Sequence, residues 1–126
     1  VGEFALINLG VSIQVPKGYK AELRMRSSTF KKFGLIQTNA VGLIDTTYSG
    51  VDDIIKLPVF APIKQEDMIN YNKYGMLRGI VIPKGTSICQ LEILPCMEEM
   101  EFNDMVLEEY KEYNKVTRGG FGSTDK

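Results

Sequence analysis

Histidine is missing from all 126 residues. That rules out Ser-His-Asp and Cys-His nucleophile systems and the usual zinc sites with imidazole ligands, so proton transfer must run through Asp or Glu. Water is then the expected attacking group. No apolar run is long enough to span a membrane and nothing at Val1 reads as a signal peptide, which makes the cytoplasm the expected compartment. Neither sign of charge dominates: 15 Lys and Arg stand against 16 Asp and Glu. No bulk field therefore draws the chain to nucleic acid or to a membrane surface, and a polyanionic ligand has to be held by local groups. Cysteine is scarce as well. Cys89 and Cys96 fall on opposite faces of an extended run, so they are expected as buried, reduced thiols rather than as a disulfide or metal pair.

The length allows one domain with one modest core. Short apolar or alternating runs follow one another: Phe4 to Leu9, Val11 to Val15, and Tyr19 to Met25 after the turn Pro16-Lys17-Gly18. Strands this short, divided by Gly and Pro at close intervals, predict an all-β barrel or jelly roll rather than a βαβ fold. Val51 to Ile63 and Ile80 to Ile82 read as further strands, with a turn at Pro83-Lys84-Gly85. Between them, residues 64–78 are polar and rich in Asn and Tyr, as expected of a surface loop inserted into the core domain. The predicted division is a β core over 1–96, an acidic and extended arm over 97–117, and a glycine-rich lid over 118–126.

Three strings carry chemistry. Asn39 to Gly50 reads as a strand hairpin in which Val41, Leu43, Ile44, Thr46 and Thr47 are extended and Asn39, Gly42 and Gly50 mark bends. It offers backbone donors and acceptors, one carboxylate in Asp45 and one ring in Tyr48. Read singly, Asp45 is a turn cap and Tyr48 a half-buried strand aromatic. Arg26-Ser27-Ser28 supplies a guanidinium fork and two hydroxyls at a turn, suited to phosphate, although alone it is a solvated strand end. The tail Arg118-Gly119-Gly120-Phe121-Gly122-Ser123-Thr124 combines a flexible backbone with one cation, one aromatic and two hydroxyls.

The order and spacing of these strings resemble the trimeric dUTP pyrophosphatases, the dUTPases. Arg26-Ser27-Ser28 lies about a dozen residues before Asn39 with Gly34-Leu35-Ile36 between, as the second family motif precedes the third. Gly85, Gln90 and Leu91 fit the fourth motif, G-x-R-x-A-Q-L, while Ser87 and Cys89 replace its Arg and Ala; the tail fits the last. The resemblance implies a distorted jelly-roll (β-clip) barrel with a C-terminal arm, a homotrimer with active sites shared between subunits, and hydrolysis of dUTP to dUMP and pyrophosphate. It implies that Asn39 and the backbones of Gly42 and Ile44 read uracil. Tyr48 would exclude a 2′-hydroxyl, and Asp45 would activate water. By the same resemblance Arg26, Ser27 and Gln90 contact phosphate, with Ser28 in the small position beside them. Arg118, Gly122, Ser123 and Thr124 would wrap the triphosphate, Phe121 would stack on the base, and Mg²⁺ would ride on the phosphates.

The first family motif, A-G-x-D-L, has no match from Val1 to Leu6: either a Gly-x-Asp-Leu string lies upstream of Val1, the expectation that a start at Val rather than Met favours, or its carboxylate has been lost and catalysis would be weak even where binding survives. Two other readings stand beside this one. A dCTP deaminase would share the fold and the R-S-S string, but it lacks the terminal G-F-G-S-T and uses a Glu beyond the hairpin, where this chain has Asp52 and Asp53. A noncatalytic dUTPase-like module binding nucleotide or a regulatory partner is the other.

Overall fold

In the computed structural model, residues 1–117 and 119–121 are described. The chain separates into two compact units, Val1–Cys96 and Met97–Lys126.

The first unit is built on two three-stranded sheets. One has the order β1-β5-β3, from β1 (Phe4–Asn8), β5 (Lys56–Phe60) and β3 (Ile36–Gln37); the other has the order β4-β2-β6, from β4 (Gly42–Ile44), β2 (Tyr19–Met25) and β6 (Cys89–Pro95). All pairings are antiparallel. Two-residue periodicity decides which side chains meet. Ala21 and Leu23 of β2, Ile44 of β4, and Leu57 and Val59 of β5 fall into one core with Val15, Leu35, Ile55, Ala61 and Ile88. On the other face of β2, Glu22 pairs with Lys20 and Arg24. The jelly-roll-like all-β architecture is the one predicted, built from two sheets that share a core.

Several local expectations are corrected. The Ser-Ser-Thr string opens a helix, α1 (Ser27–Phe33), where a turn was expected. Its hold is tertiary: the buried Thr29 donates its hydroxyl to the Ile88 carbonyl at 2.6 Å, and Gly34 ends the helix at φ 66°. Segment 64–78 is no loop either. It contains α2 (Gln65–Tyr74), whose first turn is closed by the Lys64 N–H donating to Asp67 Oδ2 at 2.8 Å and whose end is set by Gly75 at φ 76°. Asp67 is 2% exposed and receives Arg78 Nε at 2.6 Å. Those two donors, the Lys64 N–H first, hold its carboxyl below the usual range.

Val11 to Val15 forms no ladder. Gly10, at φ 73° and bonded to the Asn8 side chain, breaks β1 and leaves Leu9 and Val11 to trade single bonds with Ile55. Ile80 to Ile82 likewise makes no ladder among the described residues. Cys96 is exposed and Cys89 half-buried, so only their free state matches expectation. In the second unit, the segment expected to be extended carries a short exposed helix, α3 (Leu107–Tyr113).

Candidate active site

The predicted hairpin, Asn39 to Gly50, holds a single strand, β4, which pairs with β2 and is followed by turns; the strand just before it, β3, pairs with β5 in the other sheet, so the chain crosses between sheets here. The turn between them, Thr38 to Val41, is tight: Val41 N–H donates to the Asn39 carbonyl at 2.6 Å across Ala40, which sits at φ 59°. A non-glycine residue in that region is strained and persists only because its surroundings hold it. The turn delivers Asn39 to the mouth of a cavity of about 210 Å³ lined by Leu23, Asn39, Gly42, Leu43, Ile44, Tyr48, Ile55 and Lys56. Four predicted base- and sugar-contacting residues, Asn39, Gly42, Ile44 and Tyr48, thus share one pocket.

Strand order leaves β4 at a sheet edge, so alternate backbone groups of Gly42–Ile44 turn away from β2. A strand edge offers N–H and C=O in the repeat that a pyrimidine edge requires. Gly42 has no slack: a Cβ there would lie 3.2 Å from Leu23 Cβ and 3.6 Å from Asn39 Nδ2. Tyr48 is pinned by its hydroxyl, which donates to the Ile54 carbonyl at 2.8 Å. Gly50 and Asp53 close the following turn, with the Gly50 N–H on Asp53 Oδ2 at 2.8 Å.

Asp45 follows Ile44 directly but is not part of the pocket lining. Thr46 and Thr47, expected as strand, form a turn because the Asp45 carboxylate competes for their backbone. Asp45 Oδ1 accepts the Thr47 N–H at 2.8 Å and also the Thr47 hydroxyl. The hydroxyl is the main cause and the Thr47 N–H the next in holding this exposed carboxyl below its usual pKa. Turn cap and candidate base are therefore one residue, ionised throughout the neutral range.

A second cluster lies where β2 ends. Arg26 caps α1, sends its backbone N–H to the Ile88 carbonyl at 3.1 Å, and sends a guanidinium N–H to the Ser87 carbonyl at 3.3 Å. Ser27 and Ser28 open the helix, with backbone donors that the first helical turn leaves unused. Gln90 stands opposite Arg24 on β6. Arg26, Ser27, Ser28 and Gln90 are thus gathered beside the end of β2. Phe121 is fully exposed in the second unit; Arg118, Gly122, Ser123 and Thr124 lie outside the described residues.

Two residues were overlooked. Lys56 is part of the pocket's lining, its one cationic residue. Gln37 is 8% exposed and hydrogen-bonded at both ends of its amide. A polar residue directly after Leu35-Ile36 was the available signal for it. A larger apolar cleft of about 830 Å³, between β1 and residues 79–88, contains none of the predicted site residues. Among the described residues no group of three or more His, Cys, Asp or Glu is placed to hold a metal ion. No helix there is long and apolar enough to cross a membrane.

No family model matches the chain. A curated relative does: the SPbeta prophage-derived deoxyuridine 5'-triphosphate nucleotidohydrolase YosS of Bacillus subtilis is 39% identical over 122 residues, spanning 97% of this chain and 72% of the relative. The chain belongs to the dUTPase family. Solved dUTPases share the fold. The enzyme from Streptococcus mutans superposes with a TM-score of 0.62 at 23% identity, over 79% of this chain and 70% of that one. A mutant dUTPase from phage phi11 of S. aureus, described as revealing coordination of a structural Mg(II) ion, gives 0.60 at 23% identity, over 85% and 75%.

Proposed function

We propose that the chain hydrolyses dUTP to dUMP and pyrophosphate, with Asp45 directing a water at the α-phosphate. The observation that carries the reading is the convergence of Asn39, Gly42, Ile44 and Tyr48 on one small pocket at an unpaired strand edge. Membership of the dUTPase family supports it.

The base enters the pocket edge-on. Backbone groups of Gly42 and Ile44 and the amide of Asn39 meet the polar edge of uracil, and cytosine leaves groups mismatched at about 1–3 kcal/mol each. Tyr48 stands against the deoxyribose and excludes a 2′-hydroxyl. Arg26, Ser27 and Gln90 hold the phosphates, with Ser28 leaving room beside them, and the tail closes over the substrate. In that closure Arg118, Gly122, Ser123 and Thr124 wrap the γ-phosphate end and Phe121 stacks on the base, excluding bulk water. A water then forms a bond to the α-phosphorus as the bond from that phosphorus to the bridging oxygen breaks. Its proton passes to Asp45, and pyrophosphate leaves with the electron pair. Because the pKa of Asp45 is depressed, the carboxylate orients the water from the outset and takes the proton as the new bond forms.

With no acidic cluster among the described residues, the donor set suits a hydrated Mg²⁺ carried by the substrate phosphates rather than caged by protein. When bound, the ion neutralises phosphate charge. The assembly is a homotrimer with shared sites. What supports association is a row of exposed apolar side chains, Phe4, Phe60 and Ile36, in register across the outer face of β1-β5-β3 with Leu6 beside it. Free thiols at Cys89 and Cys96 fit a reducing cytoplasm.

The test is pyrophosphate release from dUTP, dCTP and UTP. The expected result is release from dUTP far faster than from dCTP or UTP, lowered about 10²–10⁴-fold by Asp45→Asn. Deamination of dCTP without pyrophosphate, or nucleotide binding without turnover, would contradict it.

A further inference from the structure

We infer that Gln37 is a positioning residue that sets which face of the Asn39 amide the pocket presents, and thereby the preference for a pyrimidine bearing a carbonyl at C4. The inference rests on the uracil-pocket reading above. It begins from a group that cannot be turned around. The Met25 backbone N–H only donates, and its acceptor is Gln37 Oε1 at 2.9 Å. With that oxygen fixed, Nε2 occupies the other arm of the amide and directs its hydrogens to the Leu23 carbonyl at 3.0 Å and to Asn39 at 2.9 Å. A donor aimed at Asn39 requires Oδ1 there. Nδ2 is left on the opposite side, beside Gly42 and the cavity. The orientation of a backbone N–H in β2 thus passes through one side chain to the surface of the pocket.

The position explains why a buried amide is used. The β2–β4 pairing ends at Leu23 opposite Gly42, so beyond it β2 has a carbonyl and an N–H facing β3 with no strand to meet them. The Gln37 amide stands in for a peptide group of the missing strand and satisfies both, and its second Nε2 hydrogen reaches Asn39. Leu or Val at this position would fill the space and leave Leu23 and Met25 unsatisfied and Asn39 free to rotate. The NH₂ that Asn39 turns to the pocket donates to the C4 carbonyl of uracil and meets the C4 amino group of cytosine donor to donor. Gln37 also lies one residue from Arg26 through Met25, so the same contacts fix the base pocket against the phosphate-facing end of β2.

The experiment measures kcat/KM for dUTP and dCTP in the parent, in Gln37→Met, and in both again with Asn39→Ala. Gln37→Met keeps the length and removes the amide. The expected result is that it lowers the dUTP-over-dCTP ratio about tenfold. In the Asn39→Ala background the same change moves the ratio by less than about twofold, since its effect passes through Asn39. A folded Gln37→Met that keeps the parent ratio, or lowers it equally in both backgrounds, overturns the inference. Side-chain amide exchange, followed by ¹⁵N NMR on the unsubstituted protein, decides the case if the variant fails to fold. Gln37 NH₂ protons should exchange much more slowly than those of Asn39, and equal exchange overturns the inference. A parent that does not separate dUTP from dCTP would defeat the uracil reading alone, with the exchange measurement still reporting on Gln37.

Discussion

Asp45, the proposed base, is also a turn-closing residue. Its carboxylate closes the turn after β4 through Thr47, and the same contacts keep it ionised. A carboxyl whose pKa is lowered on folding adds stability above its unfolded pKa, and loses it as pH falls through the lower, folded value. The base should therefore stay active to pH values below the ordinary carboxylate range. Replacing Thr47 by Val removes the largest cause of the depression while keeping the shape. The acid limb of the kcat/KM profile should then move to higher pH, with the plateau little changed; an unmoved limb would show that another group controls it. Tyr48 and Asn39 were readable as candidates because the string from Asn39 to Gly50 resembles the third dUTPase motif; read singly, Tyr48 was a half-buried strand aromatic. Gln37 was not, because nothing in the string L-I-Q reveals that β4 stops one register short of it. Its partners, Leu23 and Met25, are 14 and 12 residues away.

Among the elements, the strands β1, β2 and β5 were legible from two-residue alternation and from the turns at Pro16 and Gly18. The helices were not. Segment α1 has seven residues opening on Ser-Ser-Thr, a composition that favours turns in isolation, and it is helical because Thr29 locks onto Ile88. Beside that contact the Arg26 guanidinium donates to the Ser87 carbonyl, just before β6, at the position where the fourth family motif has an Arg. Thr29→Val keeps the volume and leaves the Ile88 carbonyl with the Arg26 N–H alone. It should cost about 0.5–1.5 kcal/mol of unfolding free energy, read by urea denaturation, and raise KM for dUTP more than it lowers kcat. Full stability in the variant would show that α1 is held by other means. Segment α2 escaped notice for a related reason: its polar surface hides one buried residue, Asp67, whose partners are a backbone N–H and an Arg beyond the helix.

Among the described residues many large apolar side chains are exposed. In β1-β5-β3 both faces are apolar: Ile7, Leu57 and Val59 turn to the core, while Phe4, Leu6, Ile36 and Phe60 lie outside. Phe4→Glu with Phe60→Glu places like charges directly opposite on that outer face and leaves the core alone. Sedimentation should then report single chains where the parent associates, with turnover lost alongside. Retention of the parent assembly would assign the face another role. The central claim is that water attacks the α-phosphorus of a uracil nucleotide under the direction of Asp45. It is tested most directly by a single turnover of dUTP in ¹⁸O-labelled water, with the products weighed by mass spectrometry. One ¹⁸O in dUMP and none in pyrophosphate is the predicted result. Label in pyrophosphate, or formation of dUDP, would contradict it.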